Sequence, residues 1–167
     1  VPRLDRKQLK TRFKPDDFVF VQDMNDLFAK NVPRELIMQV IEHTKKFPKT
    51  QFLFLTKNPQ RYMEFIEHFT SHHVLGATIE TNRINNLTNG PNCQNRLVSM
   101  LLLNQMISDL HMDVDTFVSV EPIMDFDLME FFNFLGKYAA SWGVAVGYDN
   151  YNMGLPEPSL AKTEELI

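Results

Sequence analysis

Five short apolar runs in this chain each end in side chains that can do chemistry. "FVFVQ" closes on Gln22 and is followed by Asp23, Met24, Asn25 and Asp26. "QFLFLT" is followed by Lys57 and Asn58. "VLGATI" leads into Glu80, Thr81, Asn82 and Arg83. "TFVSV" carries Ser119 and leads into Glu121, Pro122 and Asp125. "GVAVGY" ends on Tyr148, with Asp149, Asn150, Tyr151 and Asn152 behind it. Carboxylates and amides offer acceptors for an ammonium, a lysine suits a carboxylate, and an aromatic ring suits a flat base. Helix caps and tight turns also recruit Asp, Asn, Ser and Thr at such junctions. That accounts for Asn58, Asp125 and Asn25. It accounts poorly for Lys57, Glu80, Arg83 and Glu121, which are not capping types.

The elements that must position these residues alternate along the chain. Between the apolar runs lie segments with helical spacing, such as "RELIMQVIEHTKKF", with Leu36, Ile37, Val40 and Ile41 on one face. "NPQRYMEFIEHF" predicts a helix with Asn58 as cap and Pro59 at its first position. "CQNRLVSMLLLNQMISDL" and "DLMEFFNFLGKYAASW" predict two more, and "SLAKTEELI" starts another. Residues 82–92, rich in Asn, Thr, Gly and Pro, read as a loop. Continuous apolar strands alternating with amphipathic helices predict an α/β protein with a parallel sheet. The strands begin near residues 18, 51, 74, 116 and 143, a mean spacing of about 31 residues, as in a βα unit. A complete eight-unit barrel takes about 250 residues. The 167 residues therefore supply about five parallel βα units, an open sheet or a partial (β/α) barrel. The expected organisation is one incomplete barrel domain over 1–167, with a basic arm or helix over 1–17. Parallel strands bring their C-terminal ends to one edge, where α/β proteins bind ligands. Glu80, Asn82, Glu121 and Tyr148 are expected around one cavity, with Lys57 beside it and within electrostatic reach of Glu121.

Several familiar sites are absent from the sequence. The glycines form neither GxGxxG nor a GxxxxGK[ST] phosphate loop. Ser119 lacks the glycines of a nucleophile elbow. His72 and His73 are adjacent at the approach to a strand, so they are expected to point to opposite faces at the surface. Cys93 is the single cysteine, which excludes an internal disulfide framework and suits a reducing, cytoplasmic setting. It reads as a small half-buried residue, with a lowered pKa at a helix start as the alternative. No stretch approaches the roughly 20 apolar residues that span a bilayer. The net charge of −4 gives no global attraction to nucleic acid, although Arg3, Arg6, Lys7, Lys10, Arg12 and Lys14 crowd the start.

"FVFVQDMNDLF", "FLFLTKNPQRYMEF", "LGATIETNR", "FVSVEPIMDFDL" and "VGYDNYNMGLPEPSLAKT" occur in this order. Together they resemble a phage- and archaea-associated branch of the radical S-adenosylmethionine (SAM) superfamily, similar to spore photoproduct lyase. The resemblance runs from about Phe18 to Ile167. It implies a partial (β/α)6 barrel of which the five strands here are strands two to six. It also implies a [4Fe–4S] cluster held by three cysteines on the loop after the first strand, and SAM bound at that cluster. In that frame Gln22, Asp23 and Met24 stand where the amino group of SAM is met. Glu80 and Asn82 stand where the ribose is contacted, and Tyr148 where adenine is flanked. Lys57, Ser119 and Glu121 occupy the other strand ends. Nucleic acid is the substrate class the resemblance suggests.

The departure from the family is large. A cluster needs cysteine thiolates, and the chain has only Cys93, in the wrong unit. Three arrangements would account for this. The chain is a fragment of a larger enzyme, the missing part is a separate partner, or the scaffold has lost its chemistry and acts as a binding or assembly module. In each case this polypeptide alone is not expected to cleave SAM reductively. A different α/β enzyme using Lys57 and Glu121 as acid and base is a further reading. The first strand would present an unpaired edge, so self-association, a partner chain, or cover by residues 1–14 is expected.

Overall fold

The computed structural model describes residues 2–22, 24–84, 90–136 and 140–167. Strands β1 (Phe18–Val21), β2 (Gln51–Thr56), β3 (His73–Thr78), β4 (Asp115–Val120) and β5 (Gly143–Val146) alternate with helices. These are α1 (Arg34–Thr44), a 3₁₀ helix (Pro59–His68), α2 (Cys93–Asp109), α3 (Leu128–Phe134) and α4 (Leu160–Glu164). The five strands form one sheet in the order β1-β2-β3-β4-β5, and every neighbouring pair is parallel. The protein is thus α/β, with the sequential parallel order of a partial (β/α) barrel. Among the described residues no helix is long and apolar enough to cross a membrane.

Register divides the strand side chains between two faces. Val19 and Val21 share a face with Phe52, Phe54, Leu75 and Val118. This face packs into the main core with Phe28, Tyr62, Phe65, Leu97 and Met100 from the helical side. The opposite face carries Phe18, Phe20, Leu53, Leu55, Gly76, Thr78, Phe117 and Ser119. On it, Phe18 of β1 stacks on Trp142, which immediately precedes β5, with ring centroids 5.4 Å apart. Phe117 meets the same Trp142 edge-on at 5.6 Å. In a flat sheet β1 and β5 would lie about 19 Å apart, four strand spacings. The ring contact between the two edges therefore means that the sheet curls toward a barrel, with an aromatic floor at its N-terminal end. Gly76 allows the tight packing inside the curl. A Cβ there would sit 3.0 Å from Leu55 Cδ1 and 3.1 Å from the Phe54 carbonyl oxygen.

The segment from Asn58 is a 3₁₀ helix rather than the expected α-helix. Its buried residues Pro59, Tyr62 and Phe65 recur every third position, the repeat that eclipses side chains at three residues per turn. Pro59 does open it, but Asn58 does not cap it. The Asn58 Nδ2 instead donates to the Phe28 carbonyl at 2.9 Å. The buried Tyr62 hydroxyl lies 2.9 Å from the carbonyls of both Phe54 and Gly76, fastening this helix to β2 and β3. α2 begins as expected at Cys93, with the Asn92 side chain accepting from Asn95 N. Asp125 is no cap either, since α3 starts after Asp127.

The surface placement expected for His72 and His73 is corrected. His73 is fully buried, His72 is partly buried, and their rings lie 4.1 Å apart. Both rings turn to the same polar partner, Thr70, which draws them together despite their adjacency. Near this end Phe13 packs edge-on against His43, Phe47 and Phe52. The N-terminal segment is thereby anchored at the base of α1 and β2. β1 pairs with β2 alone among the described strands, and Phe18 and Phe20 are about half exposed.

Candidate functional site

The C-terminal strand ends form a polar rim above the aromatic floor. Its most developed feature is an ion cluster around Glu80, two residues past β3. Glu80 Oε1 lies 2.6 Å from Lys57 Nζ, and Oε2 lies 2.7 Å from an Arg96 guanidinium nitrogen. Glu80 and Arg96 are almost wholly buried, whereas the Lys57 side chain is 40% exposed. The Cys93 thiol also donates to Glu80 Oε2, at 3.3 Å. Burial works to raise the Glu80 pKa, but the Arg96 charge and then Lys57 outweigh it and hold the carboxyl below its usual range. Arg96 also donates to the carbonyls of Thr78 and Pro91, which pins the end of β3 to the start of α2.

Lys57 is fastened at both ends. Its backbone N–H donates to Asp26 Oδ2 at 2.9 Å, while its ammonium meets Glu80. The Asp26 carboxylate also accepts from Thr56 Oγ1 and from Phe28 N.

The other strand-end residues divide into tied and open groups. Asn82 is buried, accepts from Asp127 N at 3.0 Å and donates to Glu130 Oε2 at 2.9 Å, so it joins the β3 end to α3. The Tyr148 hydroxyl donates to Thr163 Oγ1 at 2.7 Å and holds α4 over the rim. Arg83 pairs with Asp125 and Asp127, and Lys162 reaches Asp125 at 2.6 Å. Ser119 is buried in the ladder beside Thr78.

Glu121 is exposed and lies against Gly147, where an added Cβ would sit 2.9 Å from the Glu121 Cδ. It accepts one bond from Asn150 Nδ2, at 3.2 Å, and its peptide bond to Pro122 is cis. Gln22 is exposed, with a left-handed backbone of φ 65° that turns the chain out of β1. Asp23 lies outside the described residues.

The structure thus joins Lys57 to Glu80 directly and leaves Lys57, Glu121 and Gln22 open to solvent. Of the two charges expected within electrostatic reach of each other, Lys57 turns to Glu80 and Glu121 to Asn150. A groove of about 780 Å³ lies at the other end of the sheet, lined by Leu102, Gln105, Met112 and Asp115 among others, far in the fold from these residues. Arg96 escaped the sequence reading, because an arginine in the first turn of an amphipathic helix looks like a solvated face.

A model of the protein-of-unknown-function family DUF5131 matches residues 3–129, about three quarters of the chain. The chain belongs to the DUF5131 family. No curated protein and no solved structure matches it. The matched region contains β1 to β4 and every residue of the Lys57–Glu80–Arg96–Cys93 cluster, and it stops short of β5, Tyr148 and α4.

An iron–sulfur cluster does not fit the donors of this chain. Cys93 is 1% exposed and engaged with Glu80. Burial, and then the Glu80 charge, push its thiol pKa up, away from the thiolate a cluster requires. The Cys93 thiol therefore lacks the lowered pKa that a helix start can confer. Among the described residues no group of three His, Cys, Asp or Glu side chains could hold a metal ion.

Proposed function

We propose that this DUF5131 chain is the ligand-binding portion of a radical-SAM-like barrel, and that its C-terminal rim receives an adenosyl ligand such as SAM. The observation that carries the reading is the curled, singly wound parallel sheet. Its aromatic floor lies below a rim on which Lys57 and Glu121 offer opposite charges to solvent. A flat base suits the apolar interior, a carboxylate suits Lys57, and an ammonium or sulfonium suits Glu121. The order of the five sequence blocks supports the adenosyl class. Asn82, Ser119 and Tyr148 support the rim from within, and Glu80 acts through Lys57, because its own oxygens are taken. Any [4Fe–4S] cluster would be held by cysteines outside these 167 residues. Such chemistry, and a lone protonated thiol, suit a reducing cytoplasm, with nucleic acid as the proposed substrate class of the assembled enzyme.

Saturation-transfer NMR with SAM and S-adenosylhomocysteine tests the reading. Without a cluster to hold the methionyl group, binding should be on the order of millimolar, about 4 kcal/mol. Glu121→Ala should weaken it, while Met129→Ala on exposed α3 should not. Absence of saturable transfer to the folded chain would remove the adenosyl reading.

A second reading, a non-catalytic binding or assembly module, is favoured by one observation. β1 and β5 end the sheet, and Phe18, Phe20 and Val144 on them are exposed. An apolar sheet edge recruits another strand. Sedimentation as a monomer at high protein concentration, with no strand-forming partner retained, would count against it.

A further inference from the structure

We propose that Arg96, acting through Glu80, is the positioning residue that makes Lys57 an anion-recognition group, so that the rim selects ligands bearing a carboxylate or phosphate over neutral ones. The proposal rests on the reading of the rim as a ligand site and adds what that site prefers.

A lysine already paired with a glutamate is ordinarily a poor anion receptor, because the pair is neutral. Here Glu80 is shared. One oxygen faces Lys57 at 2.6 Å and the other faces Arg96 at 2.7 Å. Among these three side chains two cations share one carboxylate, which leaves one positive charge in excess. The two buried members cannot present it, since Arg96 is 1% and Glu80 2% exposed at the side chain. It emerges at the Lys57 ammonium, the only one of the three in contact with solvent. An ammonium has three donor hydrogens, and Lys57 gives one of them to Glu80 Oε1.

Lys57 is also preorganised. Asp26 holds its backbone N–H and Glu80 holds its head. A long flexible side chain normally loses rotamer freedom when it grips a ligand, and this one has lost much of it beforehand. The Asp26 oxygens are themselves held by three neutral donors, the Thr56 hydroxyl and the backbone N–H groups of Lys57 and Phe28. Arg96 is fixed in turn by the carbonyls of Thr78 and Pro91. The chain of contacts thus runs from the start of α2, through the end of β3, to an exposed charge at the end of β2. Without Arg96, Glu80 would hold Lys57 as a closed neutral pair.

The test compares adenosine with adenosine 5′-monophosphate by NMR titration of the full chain. Near-UV circular dichroism first establishes that each variant is folded. The unmodified chain should bind the monophosphate about tenfold more tightly than adenosine. Lys57→Met and Arg96→Met should bring that ratio to about one, through loss of affinity for the monophosphate. A merely structural Arg96 would weaken both ligands together. An unchanged ratio in folded Arg96→Met overturns the proposal. Should Arg96→Met not fold, Glu80→Gln reads the same relay from its centre, and a ratio unaltered there is equally fatal. If adenosine binds without preference for the monophosphate, the relay fails and the adenosyl reading stands. If no adenosyl compound binds, yet inorganic phosphate or acetate saturably shifts the Lys57 side-chain signals and Arg96→Met abolishes this, the adenosyl reading fails and the relay stands. No shift of Lys57 with any anion overturns the relay outright.

Discussion

Acidification should unlatch the end of the molecule opposite the rim, and His73 is the group to follow. His73 is fully buried at the start of β3. Its Nδ1 accepts the Thr70 backbone N–H at 2.9 Å. Its other nitrogen, Nε2, therefore carries the proton and donates to Thr44 Oγ1 at 2.9 Å, and that hydroxyl donates to the Ile41 carbonyl. A second proton can enter only at Nδ1, where it faces a donor. Burial, and then the neighbouring His72, lower the pKa to about 3. The unfolded chain takes up this proton near pH 6.5. Below that value the unfolded state binds more protons than the folded one, so stability falls as pH falls. The slope is about 1.4 kcal/mol per pH unit for one group. Between pH 6.5 and pH 5, His73 alone should remove about 2 kcal/mol, a large part of a domain's usual 5–15 kcal/mol. His43 and His72 are shifted in the same direction, chiefly by burial, and add to the effect. Urea unfolding of the chain and of His73→Gln at pH 7.5, 6.5 and 5 measures this. The variant loses stability at pH 7.5, and its curve should be flatter by about 2 kcal/mol across the lower interval. A variant with the same pH slope as the parent would refute the assignment of the lost stability to His73.

Two further outcomes follow from packing and donors. Gly76→Ala places a methyl 3.1 Å from the Phe54 carbonyl, which is backbone and cannot yield as a side-chain tip would. A loss of about 1–3 kcal/mol in urea unfolding is expected, and a neutral result would mean that β2 and β3 are less closely apposed in the curl. Anaerobic reconstitution of this polypeptide with iron and sulfide should leave it colourless, because its one thiol is buried and protonated; a stable brown protein with the broad absorption of a [4Fe–4S] centre would contradict that.

The sheet was legible because each strand is a compact apolar, β-branched run. Four of the five expected strands lie within one residue of their observed bounds, and the last stops two residues early, at Val146, because after it the chain turns to lay Gly147 against Glu121. What the pattern hid is instructive. Helical spacing in "NPQRYMEFIEH" fits three and 3.6 residues per turn almost equally over ten residues, and tertiary demand from Tyr62 and Phe65 chose the tighter winding. His73 looked like a surface residue because a polar side chain before a strand usually is one. Its burial depends on Thr44, 29 residues away, which no local window contains. Arg96 was invisible for the same reason, since its partner Glu80 is 16 residues upstream on another element.

The rim also shows why polar strand ends are an incomplete guide to a site. Parallel topology does deliver such residues to one edge, but an edge that must support loops consumes part of its polarity in doing so. Asn82 ties α3, Tyr148 ties α4, Arg83 gathers Asp125 and Asp127, and Lys162 joins them at Asp125. These groups were chosen for type, and their partners convert them into fasteners. Lys57 and Glu121 differ because each is anchored by a contact that leaves it facing outward, Glu80 in one case and Gly147 with Asn150 in the other. A charge held in place while still hydrated is the arrangement that lowers the ordering cost of binding. The proposed ligand site therefore rests on these two groups and on the buried arginine behind one of them.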